Sequence, residues 1–348
     1  MFGLAAGWIA TNMKRITARS SASQDARAGL PISKKARYQK PHLTFEQQVK
    51  HLRQKGMIIE DADWAIARLR QIGYYRLSAY WHPYKERESS LGAGAEALRS
   101  GTRFEHIYSL YEYDRALRRL VLEGVELIEV SLRVDVAYLL GQRDCFAYLL
   151  PRHLGPGFSR LNADGISDHA RWLDGYQAKL HRPKEDFTHH LIDKCGEPLP
   201  IWAAVELWEF NQLHFFLGGL KHEDKVFISR KYGVDSPKMF LSWIKAIKGV
   251  RNHAAHHGRI WNRNMTAQPI LPAVGVFPEL DFITKDLSKI RQARACCPLL
   301  LMVCLIRVID PMSAWPGKLR SLLRDFPGET GMSIEKMGFP FDWPDEAR

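Results

Sequence analysis

The chain has 348 residues, 46% apolar and 25% charged, with a formal charge of +12 and five cysteines. That length suits about two domains and a sizeable core, and the balance is that of an ordinary globular protein, not of a fibrous or wholly disordered one. The cysteines (Cys145, Cys195, Cys296, Cys297 and Cys304) are odd in number and match no zinc spacing, which argues against a disulfide scaffold and for a reducing compartment.

Residues 1–40 hold eight Lys/Arg against one acid, Asp25, so +7 of the charge sits on this arm. A basic, Ser/Ala/Gly-rich arm reads as disordered and suited to an anionic surface such as nucleic acid. A solvated tail, or a true start at Met13, accounts for it equally well. The opening MFGLAAGWIA has no basic residue ahead of its apolar run and is not expected to be a signal peptide.

From Leu43 the pattern turns helical. LTFEQQVKHLRQKG places Thr44 and Gln47 at capping-box spacing and Gly56 at a stop. EDADWAIARLRQIGYYRLSAYWHPY carries Ala62, Ile66, Leu69 and Ile72 in register, then Tyr74, Tyr75, Tyr80, Trp81 and Tyr84, with Pro83 ending the element. Those aromatics, with Arg76 and Lys85, suit core packing; a stacking platform for unpaired bases is the alternative. Residues 86–102 read as a Gly/Ser/Ala loop.

Residues 103–140 form the longest helical pattern, and Gly141 is its natural end. Residues 151–200 are irregular apart from a helical piece around Trp172, Tyr176 and Leu180. PIWAAVELWEFNQLHFFLGGL, from Pro200, is almost continuously apolar and predicts one deeply buried helix. Ser236 and Pro237 are N-cap and first residue of the next helix, which reaches the cluster at 251–263 and, if regular, runs to about 260. A further helix is predicted near 279–309. It includes CCPLLLMVCLI, eleven residues long and too short to cross a bilayer. No membrane span is expected, and a cytoplasmic location is. Strand-like alternation is nearly absent, so the fold class is all-α.

The chemistry concentrates in GVRNHAAHHGRIWNRN, residues 249–264. His253 and His257 have the i,i+4 spacing of a zinc helix, but no acid lies between them and five Lys/Arg surround them, so no metal is expected. Two readings remain. Arg, Lys and His favour a helix C-terminus, where cations meet the negative end of the dipole. Alternatively, the cluster handles phosphate: histidine moves protons near neutral pH, and arginine pairs with phosphate bidentately and stays charged. Such a set is half a site for metal-free RNA cleavage, which two copies about a two-fold axis would complete.

RNHAAH at 251–256 matches the Arg-x4–6-His pattern, with Asn second, of HEPN-type ribonucleases, and RNHAAHHGRIWNR resembles the signature of the Abi family, the AbiD/AbiF-like abortive-infection proteins of bacteria. Residues 43–84 and 113–141, PIWAAVELWEFNQL at 200–213 and the closing MGFPFDW also look like that family. The resemblance spans about 40–345 and leaves only the basic arm outside. It implies an N-terminal helical region over 41–100, a HEPN-like helical bundle over 101–310 with further helices toward its end, and a tail over 311–348. It implies a homodimer through the motif helices, RNA as substrate, at times a small regulatory RNA as partner, no cofactor, and a growth-arresting toxin in phage defence. Residue by residue, Arg251 would bind the scissile phosphate, His256 would act as general acid/base and Asn252 would orient a ligand or His256.

Spacing alone leaves the working histidine open. On an ideal helix Arg251 and His256 lie about 140° apart, whereas Asn252 and His256 share a face. Supporting residues are Glu126, Glu129, Glu206 and His257; Glu129 suits an intrahelical pair with Arg133 or a seat beside Arg251, and Glu206 and Glu209 need cationic partners in so apolar a segment. Lys248, His253, Arg259 and Arg263 are candidate RNA contacts. No Gly-rich phosphate loop or Ser-His-Asp order is present. The alternative function is a non-catalytic protein that holds a small structured RNA.

Overall fold

A run of apolar residues at three- and four-residue steps needs a facing surface, and here one long helix supplies it for most of the others. The computed structural model describes residues 41–86, 97–181, 186–341 and 343. The basic arm and residues 87–96 of the expected loop lie outside those described.

Helix α1 is Phe45–Gln54, α2 Ala62–Ile72 and α3 Tyr74–Trp81. Asp61 caps α2 by accepting the Trp64 amide at 2.9 Å. Gly73, at φ 91°, splits the single element expected over 60–84 into α2 and α3, because a conformation open to glycine turns the chain sharply. Tyr80, Trp81 and Tyr84 are buried, whereas Tyr75 is exposed.

Helix α4, Phe104–Gly141, is 38 residues long and thus about 57 Å. Phe104, Ile107, Leu110, Leu117, Val121, Val125, Ile128, Leu132 and Val136 form its buried stripe. Helices α5 (Asp168–Leu180) and α6 (Asp186–Cys195) follow.

Two expected helices break. After Pro200 a single turn, Ile201–Ala204, and a 3-10 turn, Val205–Leu207, lead to an extended Trp208; α7 starts afresh at Phe210 and runs to Gly219. Trp208 is fully buried against Tyr148, Trp172 and Phe216, and Arg133 on α4 takes its carbonyl at 2.7 Å. Glu209 then opens α7 with a capping box to Gln212. Burying one indole and satisfying its carbonyl from outside outweighs one continued turn of helix.

The second break lies in the predicted 279–309 helix. Only the short helices Pro278–Leu280 and Asp281–Thr284 form early, and the long one starts at Cys296. Between them the Asp286 carboxylate collects the Ser288 amide, the Ser288 hydroxyl and the Arg291 amide, a local alternative to helical bonds that aspartate favours.

Helix α8 is His222–Lys231, α9 Pro237–Ala255, α10 Cys296–Ile309 and α11 Trp315–Arg324. Both α9 and α10 pack along α4 and against each other, and α7 and α8 flank α9. The expected tail thus carries α11, whose Trp315 seats in a notch on α4: a Cβ at Gly124 would lie 2.5 Å from the indole. Elements on either side of residues 100 and 310 share one core, and Phe45 onward forms a single compact unit. Among the described residues there is no strand, only three isolated bridges, so the fold is all-α. No described helix is long and apolar enough to cross a membrane.

Candidate functional site

Helix α9 begins as its sequence dictates, with Ser236 accepting the Met239 amide and Pro237 in the first turn. It ends earlier than regular spacing suggests, inside the cluster. Ala255 is its last residue, His256 is the C-cap, and His257 is left-handed at φ 56°. The Gly258 amide returns to the His253 carbonyl at 2.7 Å and the His257 amide to Ala254 at 3.0 Å. This is a Schellman turn, with histidine in the position glycine usually takes. His256 and His257 therefore stand at the negative end of the helix dipole, both exposed.

The helical part sorts the other residues by face. Lys245, Gly249, Asn252 and His256 follow one another at three- and four-residue steps along the outer face, and Lys245, Asn252 and His256 are exposed. Arg251 is half-buried on the flank, where its guanidinium donates to Asn252 Oδ1 at 3.4 Å. Helix α4 packs along α9. Glu129 there pairs with Arg133 at 2.5 Å. Burial pushes the Glu129 carboxyl up from its ordinary value, while Arg133, then Arg251, pull it down. Glu129 is thus an acid within electrostatic reach of Arg251.

The other candidate acids are elsewhere. Glu126 is exposed on α4. Glu206 lines an open groove of about 450 Å³ with Val134, Tyr138 and Trp202. Glu209 binds Lys179 at 2.7 Å. Of the candidate RNA contacts, Lys248 is half-buried and donates to Asn211 Oδ1 at 2.9 Å, and Arg263 is exposed. Burial, with Arg263 and His256 nearby, pushes the His253 imidazole below its usual value. Arg259 is half-buried and spends its guanidinium on the backbone, donating to the carbonyls of Ala79 and Asn262.

A clamp holds the turn that presents His256. Asp114 on α4 is fully buried, and its carboxylate accepts the Trp261 amide at 2.7 Å, the Ile260 amide at 3.1 Å and the Tyr80 hydroxyl at 2.7 Å. Arg118, one turn on, completes it as an ion pair. Burial pushes the Asp114 carboxyl up, against the pull of Tyr80, Arg118 and the two amides. From α3, Arg76 donates to the His257 carbonyl at 3.3 Å. The histidine-bearing turn is therefore bolted to two helices that precede it by more than a hundred residues.

The family model described as Abi-like protein matches residues 67–262, more than half of the chain. The chain belongs to the Abi-like protein family. The matched stretch runs from α2 through the clamp and the Schellman turn and ends at Asn262, whose carbonyl Arg259 holds. In this Abi-like protein the family match thus includes the helix end, the clamp and the Schellman turn, and leaves Arg263 just outside. Comparison with curated proteins and with solved structures returned no match.

Asp114, Arg118, Tyr80 and Arg76 were not singled out in the sequence as parts of the site. A signal for one was present: an aspartate with arginine four residues on, within the apolar stripe of a long helix, has to be buried with its partner. Among the described residues no group of three or more His, Cys, Asp or Glu is arranged to hold a metal ion.

Proposed function

We propose that this Abi-like protein is a metal-independent RNA endonuclease of the HEPN type, working as a homodimer and arresting growth during abortive infection, a phage defence to which its family points. The observation that carries the reading is the end of α9. Asn252 and His256 stand exposed on one face, Arg251 adjoins them, and a buried carboxylate fixes the turn. A helix end serving only stability would not need its histidine-bearing turn anchored by a charged group taken wholly out of water, a costly arrangement.

The reaction is attack of an RNA 2′-oxygen on the adjacent phosphorus. The 2′-hydroxyl proton passes to a base, the bond from phosphorus to the 5′-oxygen breaks, and that oxygen takes a proton. The products are a 2′,3′-cyclic phosphate and a 5′-hydroxyl. His256 moves the proton, and Arg251 neutralises the charge that develops on the phosphoryl oxygens. Asn252 orients the phosphate or the imidazole, and Glu129 keeps the guanidinium in place. One chain supplies one histidine at the position where base and acid are both needed, so a second copy about a two-fold axis completes the pair.

The test is induction in a bacterial host of the wild-type protein beside Arg251→Ala and His256→Ala at equal levels, with fragment ends probed for cyclic phosphate. Arrest with cyclic-phosphate ends in the wild type alone supports the reading. Intact RNA in every strain, together with an RNA that co-purifies with the wild type and is lost in Arg251→Ala, would replace it with non-catalytic RNA binding.

A further inference from the structure

Among the described residues nothing requires Gly249 to be glycine. It sits mid-helix in α9, its φ is not left-handed, and a Cβ built on it meets nothing within 4 Å. Glycine at such a position weakens a helix relative to alanine, and no neighbour here needs the space. The positions that do require a bare α-carbon look different: a Cβ at Gly124 would lie 2.5 Å from the Trp315 ring and one at Gly219 2.3 Å from the Phe158 ring. Gly218 and Gly317 are open as well, but Gly249 lies on the face that carries Lys245, Asn252 and His256, and there it leaves room for something from outside to approach the helix backbone.

The surroundings define that visitor. One residue back, Lys248 is half-buried and its ammonium is held by Asn211 Oδ1 at 2.9 Å. One turn back, Lys245 is exposed on the same face. Among the described residues neither lysine has a carboxylate partner. Burial and the neighbouring Lys245 push the Lys248 ammonium below its usual value. His214 is driven down to about 4 by burial, then by Lys248 and Lys245, so at neutral pH it adds no charge but also offers the lysines no anion. Two neighbouring cations without a counter-charge, one of them held by Asn211, next to a bare patch of helix, form a seat for an anion. One turn farther along the same face come Asn252 and, on the flank, Arg251, about 5 Å along the axis.

We propose that Lys245, Lys248, Asn211 and Gly249 form a second phosphate subsite, which takes the backbone phosphate next to the one at Arg251 and so sets the register of the RNA strand on α9. The inference rests on the RNA reading above and adds to it a positioning role for residues outside the Arg-to-His motif. The absent side chain lets the phosphodiester lie against the helix, Lys245 and Lys248 neutralise it, and Asn211 keeps Lys248 from folding away. A second copy of α9 crossing at Gly249 is the competing occupant. The two-fold pairing in the RNA reading above is needed at His256, two turns from Gly249, whereas a crossing centred on Gly249 would bring two unpaired Lys245/Lys248 sets together and is disfavoured by charge.

The test uses the full chain and a short 2′-O-methyl oligoribonucleotide, which binds but lacks the attacking hydroxyl. Affinity is measured across a salt series for the wild type, Gly249→Ala, Lys245→Gln, Lys248→Gln and, as a remote control, Lys336→Gln. Thermal melting and sedimentation run alongside. Gly249→Ala is expected to melt about 1–3 °C higher, because alanine is the better helix former, yet to bind at least ten-fold more weakly. Each lysine variant is expected to lower the slope of log affinity against log salt by about 0.7, the share of one single-strand phosphate contact, while Lys336→Gln leaves it unchanged. Wild-type binding with Gly249→Ala and both lysine variants unaltered would overturn the subsite and leave the RNA reading standing. A wild type that does not bind the oligonucleotide would remove both. Loss of the dimer in Gly249→Ala with unchanged affinity per protomer would assign the glycine to a helix crossing and overturn the proposal.

Discussion

Replacing Asp114 by alanine removes the one acceptor on which four donors converge: the Tyr80 hydroxyl, the Arg118 guanidinium and the amides of Ile260 and Trp261. Arg118 is only 5% exposed, so it is left as a buried cation without a counter-charge, its remaining bond being to the Tyr80 hydroxyl at 3.1 Å, a change that costs about 3–5 kcal/mol. Two amides lose their acceptor as well, and an orphaned buried donor costs about 1–3 kcal/mol. Because these losses overlap, about 4–6 kcal/mol is the expected total, a large part of the roughly 5–15 kcal/mol that holds a domain folded. Asp114→Asn keeps one acceptor oxygen but turns a donating NH2 toward some of the four donors and leaves Arg118 without a counter-charge, so it should recover only about 1–2 kcal/mol of that loss. Urea denaturation gives the two costs. Hydrogen exchange at the 260 and 261 amides then shows whether the loss is local, because the turn presenting His256 should open before the rest of α9. Equal stabilities for the two variants, or amides at 260 and 261 that exchange as slowly as in wild type, would refute the clamp.

Two further outcomes follow from the same site. His257 occupies a left-handed position at φ 56° that glycine adopts without strain, so His257→Gly should stabilise the fold by about 0.5–1 kcal/mol and keep RNA cleavage; cleavage lost with His256 intact would make His257 the working histidine. His214, lowered to about 4 by burial beside Lys248 and Lys245, is neutral in the folded state, whereas an unfolded histidine gains its proton near pH 6.5. The stability this represents, about 3 kcal/mol, is fully present above pH 6.5 and is lost as the pH falls toward 4, since the unfolded chain binds the extra proton. Melting of His214→Gln beside wild type from pH 7.5 to 4.5 checks it, and parallel curves for the two proteins would exclude His214 as the source.

Much of the architecture is written in local pattern. The three- and four-residue recurrence over 103–140 becomes α4 to within a residue, and Ser236-Pro237 opens α9 as capping chemistry demands. The failures share a cause. The helix expected from Pro200 breaks at Trp208, where a buried indole and the Arg133 bond to its carbonyl outweigh the regular ladder. The helix expected near 279–309 is delayed to Cys296, because Asp286 captures three nearby donors. Propensity and periodicity report what a segment does alone, and both breaks are decided by partners that periodicity does not weigh.

The same division runs through the site. Residues 251–263 announced themselves by composition, since a dense run of Arg, His and Asn is rare and its chemistry is local to the residue type. That Glu129 feels the charge of Arg251 while Glu206 lines a groove with Trp202 depended on the packing of α4 against its neighbours, which periodicity does not set. The ending of α9 between Arg251 and His256, and the anchoring of that turn by Asp114 and Arg76, came likewise from tertiary structure alone. Asp114 stands 146 residues from the amide at Ile260. Sequence spacing fixes which residues can share a helix face, because the backbone repeats every 3.6 residues. It carries no information on which distant carboxylate will meet an open amide, because that pairing exists only once the core has closed around both.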